Sequence, residues 1–169
     1  VTGGTGTYAN RNVGTGKSVT VTGITASASN GARVYGYQVN PTSASANIGV
    51  ITAAPLTVTA QTDNRGYNGT TGSTAAPVVS GTIYAPDAVG TAATQSFDNR
   101  NVGTGKTLTA SGLLMNDGNG GNNYAVTYVA DTSGVITAAP LTVTAQTDNR
   151  VYNGTTGSTA APVVSGTIY

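Results

Sequence analysis

Residues 51–65, ITAAPLTVTAQTDNR, recur unchanged at 136–150, and residues 67–84, YNGTTGSTAAPVVSGTIY, recur unchanged at 152–169. Gly66 against Val151 is the single difference in this block, and the offset is 85 residues (136 less 51). Self-similarity at a fixed period has to be read before any single element, because each copy is then one structural unit. Inside the block, Leu56, Val58 and Ala60 alternate with Thr57 and Thr59, and Leu141, Val143 and Ala145 repeat the pattern. Period-two alternation puts an apolar face inward and a hydroxyl face outward, which predicts a half-buried strand in both copies.

The rest of the chain is duplicated more loosely. NRNVGTGKSVTVTG at 10–23 matches NRNVGTGKTLTASG at 99–112, an offset of 89 (99 less 10) that persists to Tyr35 against Tyr124. The extra residues therefore fall within NPTSASANIG (40–49), which is expected to be a surface loop. The chain then divides into the back part of a first repeat (1–53), a complete repeat (54–138) and the front part of a further repeat (139–169). We read these ends as a window cut from a longer array, with a subunit whose partial ends complement a neighbour as the alternative.

Further alternating runs are Val19/Val21, Leu108/Ala110, Tyr35/Tyr37/Val39 and Tyr124/Val126/Tyr128. Between them lie NGTTG (68–72), APDAVG (85–90), VGTG (102–105) and NDGNGGNN (116–123), all turn chemistry. No helical periodicity is present. Short strands with closely spaced turns predict an all-β fold of tandem antiparallel β-sandwich (Ig-like) modules of about 85 residues. Pro55 and Pro140 stand at the head of the LTVTA strands, where a missing donor costs little, and the near-absence of a linker predicts stiffly joined units.

Composition narrows function. Only 8% of residues are charged, against about one-quarter in an average globular protein, and the net charge is +1. That balance gives no footprint for nucleic acid, and no apolar run is long enough for insertion into a membrane as a helix. The chain has no His and no Cys, and every acid is an Asp. Common catalytic dyads and most transition-metal sites are thereby excluded, so we expect no enzyme, no catalytic residue and no cofactor.

RNVGTGKS (11–18) and RNVGTGKT (100–107) look like phosphate cradles. The leading Gly of a phosphate loop is replaced by Arg11 and Arg100, however, and a strand pattern follows where a helix is needed. The expected reading is a Gly-supported turn with Lys17 and Lys106 solvated. A Lys–Asn isopeptide at either lysine is conceivable, but no spacing supports it. Asp117 is the one metal candidate, in a loop resembling Gly/Asp-rich calcium loops; a single carboxylate is too few, so a plain loop without metal is expected. Asp63/Arg65 and Asp148/Arg150 are candidate local ion pairs. Asn68 and Asn153 open N-G-T sequons, which we read as turns. Thr rows on a flat face would suit ice, and exposed Tyr8, Tyr67 or Tyr84 a glycan; wet strand faces and cross-strand packing are the plainer readings.

YNGTT (67–71), NVGTGK (101–106), TLTASG (107–112), NNYAV (122–126) and ITAAPLTVTA (136–145) stand in an order that resembles the YDG/MBG-type bacterial adhesin repeats. The resemblance covers the whole chain and departs from the family pattern at Asn68 and Asn153, where Asp is usual. It implies β-sandwich modules in extracellular or cell-surface proteins such as filamentous-haemagglutinin-like exoproteins. The implied function is that of a stalk or spacer in adhesion and biofilm formation, whose partners are adjacent repeats of the same chain. The alternative is a self-assembling extracellular filament subunit, paired with other copies of the same protein.

Overall fold

A computed structural model describes residues 3–26, 28, 30, 32–33, 35–36 and 38–169. Among these residues every regular element is a strand, with no helix. In chain order they are β1 (Thr5–Tyr8), β2 (Gly14–Thr22), β3 (Ala44–Ile51), β4 (Ala54–Thr59), β5 (Asn64–Gly66), β6 (Val78–Gly81) and β7 (Ala88–Thr91). There follow β8 (Thr94–Phe97), β9 (Gly103–Ser111), β10 (Leu114–Asn116), β11 (Tyr124–Val129), β12 (Asp131–Thr137), β13 (Thr142–Thr144) and β14 (Val163–Ser165).

The strands form several small sheets, in the orders β1-β2-β3, β10-β7, β11-β4-β6, β5-β12-β9-β8 and β13-β14. The chain divides into two compact units, Val1–Leu56 with Gly81–Ala92 and Leu113–Thr127, and Thr57–Ser80 with Ala93–Gly112 and Tyr128–Tyr169. Leu56, Leu113, Met115 and Tyr124 are the buried apolar residues of the first, and Val58, Ala60, Phe97, Leu108, Ala110 and Ile136 those of the second. Complete burial of a side chain such as Leu108 contributes about 1.5–3 kcal/mol.

The glycines of GTGK make a bulge. Ile136 pairs with Gly103 and Gly134 with Lys106, so three steps on β9 face two on β12. Gly105 takes φ +65°, in the left-handed region that an L side chain rarely adopts. The earlier copy does the same, with Ile51 opposite Gly14, Gly49 opposite Lys17, and Gly16 at φ +60°. The segment runs on as strand in both copies, as its sequence predicted, and the phosphate-loop geometry is not formed.

Several expectations are corrected. Lys106 is not solvated: it is buried at 7% exposure, and Lys17 is half-buried. The bulge returns β9 to register so that Lys106, Leu108 and Ala110 share one inward face. Leu141 and Val143 are exposed, on a strand paired with β14 alone. Tyr35, Gly36, Gln38 and Val39 form no strand, Tyr37 lies outside the described residues, and Tyr128 is exposed on β11. The segment expected as a loop at 40–49 becomes β3 from Ala44 onward, and the extra residues are bends before it. Pro55 is the second residue of β4 rather than a residue ahead of it. The β5–β12 pair is parallel.

Candidate functional site

The RNV turn, Arg11–Val13 in one copy and Arg100–Val102 in the other, packs against a neighbouring copy of the duplicated block at two places. In the first compact unit, Arg11 Nη2 lies 2.8 Å from Asp87 Oδ1 and donates to the Asp117 carbonyl at 3.2 Å. The Val13 N–H donates to Asn123 Oδ1 at 2.9 Å, and Asn123 Nδ2 donates to Asn12 Oδ1 at 3.3 Å. Val13 lines one pocket with Ile51, Ala54, Tyr84 and Tyr124. Only two residues, Thr52 and Ala53, separate β3 from β4 beside it.

Asp117 builds this surface from within. Its Oδ1 accepts the N–H groups of Asn119 (2.7 Å) and Gly121 (2.8 Å), and its Oδ2 that of Asn123 (2.9 Å). The carboxylate is 2% exposed. Burial opposes its ionisation, but the backbone donors Gly121, Asn123 and Asn119 outweigh burial and hold its carboxyl below the usual 3.8. Asp117 thus fixes the 117–123 loop and sets Asn123 where the RNV turn meets it. Among the described residues no group of three or more His, Cys, Asp or Glu is placed to hold a metal ion.

Asp87 is the second buried acid of the site, its side chain 7% exposed. Beside Arg11, its Oδ2 accepts the Tyr124 hydroxyl at 2.9 Å, and that hydroxyl accepts the Tyr84 N–H at 3.0 Å. Burial raises the Tyr124 hydroxyl above its usual value of 10.0, and donation to the Asp87 anion adds to the rise. A buried carboxylate is tolerated here because a guanidinium and a hydroxyl face it.

In the second compact unit the same turn is used again. Val102 lines a pocket with Ala139, Leu141, Ile168 and Tyr169, the copies of Ala54, Leu56, Ile83 and Tyr84. Tyr67 and Tyr169 meet edge-to-face with centroids 5.9 Å apart, and Arg100 Nη1 donates to the Gly69 carbonyl at 3.4 Å. Val13 and Val102 thus each line a pocket with one equivalent pair, Ala54 and Tyr84 in the first and Ala139 and Tyr169 in the second, although Val102 itself is 55% exposed.

The other residues singled out by sequence fall elsewhere. Asp63 and Arg65 do not pair, nor do Asp148 and Arg150. Asp63 accepts from Ser73 Oγ (2.8 Å), the Thr74 N–H (2.8 Å) and Thr74 Oγ1 (3.1 Å), while Arg65 bonds Asn68 and the Thr70 carbonyl and lies over the Phe97 ring. Asn68 and Asn153 cap turns, accepting the N–H groups of Thr70 (3.1 Å) and Thr155 (3.2 Å), with Gly69 and Gly154 left-handed. Tyr8 and Tyr84 are exposed, at 48% and 61%. The roles of Arg11, Asp87 and Asn123 were missed in the sequence; the signal for Arg11 was the RNV triplet, kept unchanged in both copies, while Asp87 and Asn123 lay in stretches read only as turns.

The model of the YDG domain family matches residues 52–133. Over that stretch the chain is similar to the YDG domain. No curated protein and no solved structure matches the chain. The matched stretch takes in Asp87, Asp117, Asn123 and the second RNV turn, whereas Arg11 and Val13 precede it.

Proposed function

We propose that this chain is a structural stalk or spacer segment of a bacterial extracellular adhesin or surface fibre. In this reading, tandem Ig-like β-sandwich repeats of about 85 residues support adhesion or biofilm formation. The observation that carries it is the recurrence of one arrangement: Val13 lines a pocket with Ala54 and Tyr84, and Val102 lines one with their copies Ala139 and Tyr169. A junction that repeats, with almost no linker and an ion pair from exposed Arg11 to the buried Asp87 carboxylate at one instance, favours fixed spacing over free swinging. The YDG match and the order of motifs support the bacterial surface setting. In this reading, number and spacing of copies are the selected properties.

The test is small-angle scattering on chains with one, two and three added copies of residues 54–138. A constant increment in maximum dimension, roughly 30–40 Å per copy for strands of eight to ten residues, is expected. Dimensions that grow like those of freely hinged beads would overturn it. A second reading, a self-assembling filament subunit, is favoured by one feature. Leu141 and Val143 are 51% and 63% exposed on a strand whose copy is covered, so they offer a face to another chain. Concentration-dependent polymerisation of the 169-residue chain would select it, and a monomer at all concentrations would reject it.

A further inference from the structure

We propose that Lys106 and Asn99 join in an intramolecular isopeptide bond, with Asp98 moving the proton between them. The Lys106 side chain keeps 8% of its surface exposed and runs up the inner face of β9 to the turn that precedes it. Its Nζ donates to Asn99 Oδ1 and lies 3.1 Å from Asp98 Oδ1. The second carboxylate oxygen, Asp98 Oδ2, accepts from Asn99 Nδ2 at 3.1 Å. One carboxylate therefore touches both the nitrogen that would attack and the nitrogen that would leave.

The bonding partners are held there by local chemistry. The Asp98 N–H donates to the Thr107 carbonyl at 2.8 Å, closing the β8–β9 hairpin, and Asn99 Oδ1 accepts the Asn101 N–H at 3.0 Å. The hydrogen bond from Lys106 is the foremost cause holding the Asp98 carboxyl below 3.8, so Asp98 stands as the carboxylate between the two nitrogens.

The step balances. Asp98 takes one proton from the Lys106 ammonium, and the freed Nζ lone pair adds to Asn99 Cγ. Asp98 then returns the proton to Nδ2, the Cγ–Nδ2 bond breaks, and ammonia departs, carrying off the surplus proton as ammonium. One amide replaces another, with no oxidant or co-reactant.

The chain contains its own control. Lys17 Nζ donates to Asn10 Oδ1 at 2.5 Å in the earlier copy, but Ala9 stands where Asp98 does. No group there bridges the two nitrogens, and the bond is assigned to Asn99–Lys106 alone. The product closes a ring around Arg100–Val102, the turn that enters the following copy, and would fix its shape. Formation of the bond does not depend on the stalk reading.

Intact-mass measurement of the purified, folded chain tests it. The expected mass is lower than the calculated one by a single ammonia. Trypsin should cut after Arg100 yet leave the two pieces joined, with Lys106 resistant to cleavage. Asp98→Asn and Asn99→Ala, both at exposed positions, should retain the full calculated mass with an unchanged circular dichroism spectrum. A wild-type chain at full mass overturns the proposal. So does an ammonia loss that maps to Asn68 or Asn153, where the following Gly favours ring closure on the backbone, or a crosslink that persists in Asp98→Asn.

Discussion

The block at 51–84 and the block at 136–169 are the same sequence in two settings. Leu56 and Val58 are 1% and 0% exposed, while Leu141 and Val143 are 51% and 63% exposed. The strand β4 spans Ala54–Thr59 and lies between β11 and β6; its copy β13 shrinks to Thr142–Thr144 and pairs with β14 alone. Local features survive the change. Asp148 accepts the Thr159 N–H at 2.7 Å as Asp63 accepts that of Thr74, and Gly166 repeats the φ of Gly81, +120° against +115°. What is lost is everything supplied from far along the chain. Alternation therefore encodes which face a strand turns inward, and partners at long range decide whether there is an inside.

The largest difference should appear at the core leucine. Leu56→Ala is expected to lower stability by about 2–5 kcal/mol in urea unfolding, as a buried leucine does. Leu141→Ala, the same substitution in the same local sequence, should stay within about 0.5 kcal/mol. Equal effects would mean that the two settings are not different.

Next come the matched glycines. A Cβ on Gly81 would stand 2.6 Å from the Pro55 carbonyl and 2.8 Å from Leu56 Cδ2, and Gly166 has the same distances to Pro140 and Leu141. Gly81→Ala is expected to cost about 1–3 kcal/mol in the unfolding transition, since backbone cannot yield as a side-chain end can. Gly166→Ala should perturb only the β13–β14 pairing, seen as local chemical-shift changes with the unfolding midpoint kept.

The smallest contrast is an expected agreement. Burial opposes ionisation of Asp63, but the Thr74 N–H and the Ser73 and Thr74 hydroxyls overcome it; at Asp148 the Ser158 hydroxyl leads, followed by the Thr159 N–H. Both carboxyls lie below the usual 3.8. A depressed carboxyl contributes stability that is complete above that ordinary value and is lost as pH falls through the folded one. Carboxyl titration by NMR should find both midpoints below 3.8, because the clasp is local. An ordinary midpoint at Asp148 would show that the clasp too needs the distant partners.

These contrasts also mark what was legible in the sequence. The strands at Leu56, Leu108 and Tyr124 and the turn at Asn68–Gly69 followed from short-range alternation and turn chemistry. The exposure of Leu141, the parallel pairing of β5 with β12 and the seating of the RNV turn did not, because each depends on residues scores of positions away. The burial of Lys106 was within reach: counting back in twos from Ala110 and Leu108 arrives at it, but its charge argued for solvent. Asp117 was found as the notable residue of its loop, and its partners, three backbone N–H groups, carry no mark in the sequence.

Hydrogen exchange on residues 57–59 and 142–144 of one chain tests the dependence on distant partners most directly. The amides of Thr57–Thr59 should exchange orders of magnitude more slowly than those of Thr142–Thr144, and appending another copy of residues 85–138 after Tyr169 should bring the second set to the protection of the first. Equal protection in the 169-residue chain, or no gain on extension, would contradict it.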